Sequence, residues 1–572
     1  METAGIVVGA ASLASLFCTC FDIYDKIKAL RGAANDLRDI RSRLDLEVRK
    51  LRFVQKKCNS GTLDKDAEDI MILAQKDINE RLKEIQSTIH KYSLGESEST
   101  QSSGTSLLRP KDVKFTKSSR KVLKWIASDK EFLEEQLIRL QNLFETIWYL
   151  ATTVSERVRE DYILRADAIS TPDASLLTTV ATMPAQQYPG IVKAARVKQL
   201  LSQCTEDASV SLNSTYSEPK FLLPLTSMQW HSRSLKEAMC EPWSLGICEK
   251  SGIGVSEVPV IVEWRGPPMR RNSATLVEKR LDNLCELLRA MHTVDAESNF
   301  SYMDQYSRNV DFGMLKCVGW TRSSESFDSV ALVFQYPYEE NWRPESLRSK
   351  ILAMRAGKKK PPSLGDRFDL AFGICNAVAN IISIGWMHRA IRSDNMLIFD
   401  RHSIRKVFLV GFTYARPGVF DEEDSAQELS NLPNSRSFAL YRPSPDPDGE
   451  YDFAMSSGDE DGGATGLSNQ ASNIRPSISP RSAVYDLYGL GIVLLEIGLW
   501  DTVENMKDRR KSSSIQEFQA RGIKEPLAQL SSRCGDIYRD VVERCLTPIH
   551  WQREMLMENL GDIVGSLRSC RA

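Results

Sequence analysis

Between residues 24 and 57 the apolar side chains fall on a helical repeat, and a helix with one apolar face must bury it against others. Ile27, Leu30, Leu37, Ile40, Leu44, Val48, Leu51 and Val54 are spaced by three, four and seven residues, with Lys, Arg and Asp between them. Such spacing lines one side of a long amphipathic helix. A second helix is expected from about Asp66 to Tyr92, with Ile70, Leu73, Ile78, Leu82, Ile85 and Ile89 inward. Ser93–Ser106 (SLGESESTQSSGTS) has nothing to bury and reads as a flexible loop. A third long helix is expected from about Ser118 to Arg159, carrying Val122, Trp125, Ile126, Phe132, Leu133, Leu137, Leu140, Phe144, Ile147 and Trp148. Long helices with short or floppy connections predict an all-α bundle over residues 1–200.

Residues 170–215 carry scattered Pro, Ser and Thr and read as a linker region with some local helix, including Ala194–Leu201; the linker proper is set at 201–217. Beyond it the period changes. Short β-branched runs appear at 258–265 (VPVIVEWR), 314–320 (MLKCVGW) and 329–337 (SVALVFQYP), with a helical stretch, Thr275–His292, between the first two. Helices dominate from Gly365 onward. Strands before helices predict an α+β domain, with a small antiparallel sheet lobe over 218–337 and a helical lobe over 338–570. Pro443–Pro480, rich in Asp, Ser, Gly and Pro, reads as a disordered insert. A chain of 572 residues exceeds what one core supports, so a multidomain architecture is expected.

A net charge of -2 lacks the basic field of a nucleic-acid binder, so no nucleic-acid partner is expected. The twelve cysteines form no framework: Cys18 and Cys20 make a C-x-C pair, but no second pair or His cluster follows at zinc-ligand spacing. Reduced, half-buried thiols fit a cytoplasmic protein. Ile6–Phe21 (IVVGAASLASLFCTCF) carries no charge, yet it is shorter than the roughly twenty residues that span a bilayer. It lacks the basic start of a secretory signal. Two readings stay open. It is the buried first helix of a bundle, or a helix that leaves the bundle for a membrane through residues 4–21, with Gly5, Gly9, Leu13 and Leu16 on it. Gly5 and Gly9 make a G-x-x-x-G, which suits close packing in lipid and in a soluble bundle alike.

The segment GWMHRAIRSDNMLIF (385–399) follows an apolar helix, Phe368–Ile384, and resembles the catalytic loop of protein kinases, H-R-D-L-x-x-x-N. His388 and Arg389 match, Ala390 stands where the catalytic Asp belongs, and Asn395 falls at the metal-ligand Asn. VFLVGFTYARP (407–417) looks like the strand and turn that hold D-F-G, with Gly411 at the Asp position followed by Phe412. VYDLYGLGIVLLEI (484–497) resembles the helix whose buried Asp braces the catalytic loop; Asp486 is its match. DVVERCL (540–546) resembles the penultimate helical segment, so the likeness covers about 220–570. A literal Asp311-Phe312-Gly313 precedes the loop instead of following it, and reads as a turn before MLKCVGW.

The resemblance implies a two-lobed protein-kinase-like fold, and its departures imply a pseudokinase. In a kinase the loop Asp orients the substrate hydroxyl and the D-F-G Asp holds magnesium against the phosphates. Ala390 and Gly411 do neither, and Asn395 alone supplies one oxygen where magnesium demands near-octahedral coordination. SLGICEKSGIGVSE (244–257) has Gly246, Gly252 and Gly254 in the wrong pattern for a glycine-rich loop. Where the kinase lysine is expected, the strand offers Glu263 and Arg265; Arg265 could contact phosphate or pair with Glu278 or Glu286, or form only a surface pair. No metal is expected, and ATP held without efficient turnover is the one candidate cofactor.

The helical half resembles the HeLo domain of fungal heterokaryon-incompatibility prion proteins and related cell-death effectors. The likeness rests on the uncharged start followed by FDIYDKI, and on KVLKWIASDKEFLEEQLIRLQNL (121–143), where Trp125, Asp129, Lys130 and Phe132 fit. It implies that the N-terminal helix is released into membrane when a neighbouring domain assembles. The amyloid-forming tail common in that family has no counterpart in GDIVGSLRSCRA at the C-terminus. Three functions follow. The chain is a fungal effector of self/non-self recognition or cell death, with a membrane-active bundle under a pseudokinase sensor; or an atypical active Ser/Thr kinase; or a scaffold. Protein partners or self-association, and movement from cytoplasm to plasma membrane, belong to the first.

Overall fold

A computed structural model describes residues 15–25, 27, 35–59, 65–93, 130–170, 174–183, 188–209, 219–230, 243–250, 256–265, 274–292, 312–323, 330–337, 344–357, 360–399, 407–412, 415–417, 438–443, 480–547 and 555–570. The chain divides into two compact units, Met1–Tyr188 and Pro189–Ala572. The sequence reading set the division at 200, with a linker over 201–217. The helix Pro189–Ser209 instead packs within the second unit, against the helix Ala274–Met291, and takes in 201–209 of the expected linker.

The first unit is helical: α1 (15–25), α2 (Asn35–Asn59), α3 (Lys65–Ser93), α4 (Lys130–Ala151), α5 (Val154–Ile169) and α6 (Ala174–Ala181). Helices α1 to α4 share one core, in which Phe17, Leu44, Val48, Ile78, Leu82, Leu140 and Phe144 are buried. Each such side chain contributes about 1.5–3 kcal/mol by leaving water. On α3 the inward set is Met71, Ala74, Gln75, Ile78, Leu82, Ile85 and Ile89. Ile70 and Leu73, expected inward, are 47% and 67% exposed. At about 100° of rotation per residue, Ile70 falls about 80° and Leu73 about 140° round the helix from Ile78. The expected helix through Arg159 is also two helices, α4 ending at Ala151 and α5 starting after Thr153. Glu156 N donates to Thr153 Oγ1 at 3.3 Å and Thr153 N donates to Glu156 Oε2 at 3.0 Å, a reciprocal cap that restarts the helix. The expected loop at 93–106 lies almost wholly outside the described residues.

The second unit combines helices with antiparallel sheets. It opens with α7 (Pro189–Ser209). A five-stranded antiparallel sheet follows, in the order β1-β2-β3-β5-β4: β1 (Met228–Trp230), β2 (Ser244–Lys250), β3 (Ser256–Arg265), β4 (Cys317–Arg322) and β5 (Val330–Gln335). The two-residue period sends Val260 and Val262 into a core with Ala331 and Val333, and leaves Ile261 and Glu263 on the opposite face. Between β3 and β4 lies α8 (Ala274–Met291), whose Leu281, Leu284, Cys285, Leu288 and Met291 are buried. Its Asp282 accepts from the amides of Lys220 and Phe221 and, at 2.8 Å, from Trp320 Nε1, tying helix, sheet and the segment before β1 together.

The helical part begins with β6 (Glu345–Ser346), α9 (Leu347–Arg355) and α10 (Leu364–Ser383), capped by Ser363. Short strands β7 (Trp386–Met387), β8 (Met396–Ile398), β9 (Val407–Leu409) and β10 (Arg416–Pro417) form two small sheets, β6-β8-β9 and β7-β10. Then come α11 (Pro480–Leu499), α12 (Val503–Arg509), α13 (Ile515–Glu517), α14 (Lys524–Cys534), α15 (Asp536–Leu546) and α16 (Leu556–Ser569). From Asp486 to Leu499 every residue of α11 is buried, as suits a helix apolar on all sides at the centre of a domain. Among the described residues no single helix is long and apolar enough to cross a membrane; α11 with α12 passes on length and composition but bends by 75°. Of the expected insert, 444–479 lie outside the described residues.

Candidate functional site

The loop after α10 and the turn after β9 come together because β8 and β9 are neighbours. Leu397 faces Phe408 in their antiparallel register, which sets Asn395 beside Val410, whose amide donates to the Asn395 carbonyl at 2.9 Å. Asp486 enters from α11 and accepts from His388 N at 2.7 Å and Arg389 N at 2.6 Å. Those two bonds hold Arg389 at φ 61°, a left-handed conformation that costs an arginine energy. Burial pushes the Asp486 carboxyl up to about 6, against the two amides that favour its charged form.

His388 is buried and reads both neighbours. Its Nε2 lies 3.1 Å from the Val410 carbonyl, which only accepts, so Nε2 carries the proton and Nδ1 accepts from Ala390 N. Burial then holds the imidazole down to about 4, and its ring packs edge-on to Phe412 at 4.7 Å between centroids. Ala390 is buried, and its carbonyl accepts from Asn395 Nδ2 at 2.8 Å. The Asn395 amide is thus directed at its own loop.

Gly411 has φ 89°, and a Cβ placed there would lie 2.3 Å from Asn395 Nδ2. Its amide donates to Glu263 Oε2 at 2.8 Å, so the acid on β3 closes onto the turn. Arg265 lies on β3 opposite Val330; its side chain is outside the described residues. Glu278 pairs with Arg322 at 3.0 Å and Glu286 with Lys220 at 3.5 Å. Gly246 lies within β2, where a Cβ would meet the Gln229 carbonyl at 2.8 Å; it serves strand packing, not a phosphate loop. Gly252 and Gly254 are outside the described residues.

For the magnesium–nucleotide that the kinase resemblance implies, the donor set is poor: Gly411 presents no side-chain oxygen, Asn395 spends its side-chain nitrogen on the Ala390 carbonyl, and the buried Glu263 stands on the strand where the resemblance places a cation. Among the described residues no group of three or more His, Cys, Asp or Glu could hold a metal ion.

Behind the loop lies a buried polar chain that the sequence reading missed. Tyr441 Oη donates to Glu496 Oε1 at 2.8 Å and meets Ser393 Oγ at 2.9 Å, while Val503 N donates to the same Glu496 oxygen at 2.9 Å. Burial pushes Glu496 up to about 8. Its one signal in the sequence was being the lone charge in LYGLGIVLLEIGL (487–499). Glu263 was already visible as the acid in VPVIVEWR (258–265), whereas Tyr441 carried no signal.

In the first unit Arg43 is buried and paired with Glu134 at 2.7 Å, and Tyr188 Oη donates to Glu47 at 2.9 Å. Residues 5–180 match the HeLo family model, described as prion-inhibition and propagation. No curated protein matches the chain. The HeLo match runs from the uncharged start through α5 and into α6, inside the first unit. Of the HeLo candidates, Gly5, Gly9, Leu13 and Trp125 lie outside the described residues. Leu16 is on α1, half-buried, its carbonyl accepting from Asn79 Nδ2 at 3.1 Å.

Proposed function

We propose that the chain is a regulated effector of fungal self/non-self recognition or cell death. The HeLo region is its output, and the second unit, a protein-kinase-like domain without phosphotransfer, senses or restrains. The observation that carries the loss of phosphotransfer is the crowding at Gly411, where an added Cβ would collide with Asn395. The metal-binding acid that phosphoryl transfer requires has no room there. The kinase-like reading of 218–570 is supported by the five-stranded sheet ahead of a helical part, and by a loop whose amides are gripped by a buried Asp486. In this reading ATP, where it binds at all, is not efficiently turned over. The partners are proteins or further copies of the chain, and a membrane met through residues 4–21 once the protein moves from cytoplasm to plasma membrane.

Two measurements test the halves. In a phosphotransfer assay on the full chain, with magnesium or manganese, no turnover above background is expected; turnover abolished by Asn395→Ala or Arg265→Ala would sink the pseudokinase reading. In a dye-leakage assay with anionic liposomes, leakage by the full chain that disappears when residues 1–21 are removed supports the membrane output. A folded chain that never causes leakage, under any partner or assembly state, points to a scaffold.

A further inference from the structure

The stretch that ends α12 concentrates basic charge directly ahead of three serines. Lys507, Arg509, Arg510 and Lys511 precede Ser512, Ser513 and Ser514. The helix stops here because Lys511 takes a left-handed φ of 51°, with its amide donating to the Asp508 carbonyl at 3.0 Å. Past that residue Ser513 is exposed, as are Arg509, Arg510 and Lys511, while Ser512 and Ser514 are half-buried. Arg510 pairs with Glu525 at the surface, a kind of contact that adds little to stability.

Ser513 is also the hook of the next turn. Its amide and its hydroxyl both donate to Glu517 Oε2 at 2.6 Å, and Glu517 N donates back to Ser514 Oγ at 3.0 Å. The bonds from Ser513 hold the exposed Glu517 carboxyl below its usual range, and Arg521 adds to the effect.

Beyond the hook the chain enters a single π turn, Phe518–Gly522, closed by Ile523 N on the Phe518 carbonyl at 2.8 Å. Such turns are rare and gather at functional positions. This one buries Phe518 and leaves Gln519 to grip another segment: Gln519 Nε2 donates to the Arg442 carbonyl at 2.6 Å and to the Ala439 carbonyl at 3.2 Å. Between those two carbonyls stands Tyr441, with its hydroxyl on Glu496 and Ser393. An exposed serine is thus joined, through Glu517 and Gln519, to the polar chain behind the loop His388–Asn395, all within the second unit.

We propose that Ser513 is a phosphorylation site for an arginine-directed Ser/Thr kinase acting in trans, and that its phosphate unhooks Glu517 and frees Ala439 and Arg442 from Gln519. The basic run is the recognition element, because a substrate groove lined with carboxylates takes cations just ahead of the accepting serine. In the transfer, the bond from the γ-phosphorus to the bridging oxygen of a nucleoside triphosphate breaks as the bond to Ser513 Oγ forms. The nucleoside diphosphate leaves, and the hydroxyl proton passes to a base of the kinase. The product has lost the O–H that Glu517 accepted and sets about two negative charges beside that carboxylate, which repel it and compete for Arg521. The turn at 513–517 opens and Gln519 moves with it. None of this requires the second unit to be kinase-like or the first to act on membranes, so the two readings fail separately.

The test uses the full chain, magnesium ATP and a purified arginine-directed Ser/Thr kinase. Peptide mapping is expected to place a phosphate on Ser513 within the tryptic peptide 512–521. Amide hydrogen exchange is then compared before and after treatment. Over 438–442, where Tyr441 N donates to the Phe438 carbonyl and Arg442 N to the Ala439 carbonyl, exchange is expected to accelerate about threefold or more, the size of losing one modest hydrogen bond. Ser513→Ala is expected to show no acceleration on treatment, which separates Ser513 from phosphate placed elsewhere. Gln519→Ala, left unphosphorylated, is expected to accelerate exchange over 438–442 on its own. The proposal is overturned by a chain that takes no phosphate at Ser513, by phosphate at Ser513 with exchange over 438–442 unchanged, or by acceleration that persists in Ser513→Ala.

Discussion

The amide of Gly411 donates to the carboxylate of Glu263 at 2.8 Å, linking a strand of the five-stranded sheet to the turn after β9. A carboxyl acceptor on a half-buried amide makes a useful bond, and losing it leaves the donor open. Glu263→Ala is expected to cost about 1–3 kcal/mol in urea unfolding, and Glu263→Gln less, because its amide oxygen still accepts. Equal losses for both variants would show that the bond contributes nothing.

On the proposed kinase-like reading, placing acids at 390 and 411 is not expected to create phosphotransfer. Gly411→Asp must place a Cβ 2.3 Å from Asn395 Nδ2 at φ 89°, so it should lower stability by roughly 2–4 kcal/mol. The double variant Ala390→Asp, Gly411→Asp should melt earlier than wild type and show no magnesium-dependent phosphotransfer. A variant that folds as well as wild type and transfers phosphate would mean that Asn395 moves aside freely.

Asp486 holds the one strained non-glycine residue of the loop. Asp486→Ala leaves the amides of His388 and Arg389 without their acceptor and should cost about 3–5 kcal/mol. Arg389→Gly relieves the positive φ, so the double variant should lose less than the two single losses summed. A double-mutant cycle by chemical denaturation reads the difference.

Two buried groups give stability opposite pH dependences. His388 is held down to about 4 from 6.5, so the unfolded state binds more protons between these values. Its contribution is complete above pH 6.5 and is lost as pH falls through about 4; its imidazole resonances should not titrate between pH 7 and pH 5. Glu496 is pushed up from 4.5 to about 8, so its contribution is complete below pH 4.5 and is lost as pH rises through about 8. Wild type should therefore lose stability relative to Glu496→Gln between pH 5 and pH 8 in thermal melts. A flat difference would show that Glu496 is ionised throughout.

The register of α3 has a direct check. Leu73→Lys alters a side chain that is 67% exposed and should shift stability by no more than about 0.5 kcal/mol, whereas Ile78→Ala should cost about 2–5 kcal/mol. Circular-dichroism melts of the two variants separate them.

Much of the helical architecture was legible because burial on a helix repeats every three or four residues. Ile40, Leu44, Val48, Leu51 and Val54 read correctly, and so did Ile78, Leu82, Ile85 and Ile89. The start of α3 misled because Ile70 and Leu73 are apolar yet out of phase, and the phase is carried there by Met71 and Ala74. The break after Ala151 was written in Thr153-x-x-Glu156, a local capping signal that a hydrophobic repeat does not register. Residues 170–215 read as linker with local helix only at Ala194–Leu201, because Pro and Ser obscured α6 and the ends of α7, both of which owe their helices to packing as much as to propensity.

By itself the sequence determined where helical period yields to strand period, and that Ala and Gly stand at 390 and 411, since both are properties of residue type along the chain. Tertiary structure alone decided that Asn395 fills the space beside Gly411, that Glu263 and not a cation meets that turn, and that Lys193 and Lys198 take carbonyls from two helices. Those partners lie from about sixteen to nearly two hundred residues apart. A bond between such positions depends on the packing of elements that neither residue encodes alone.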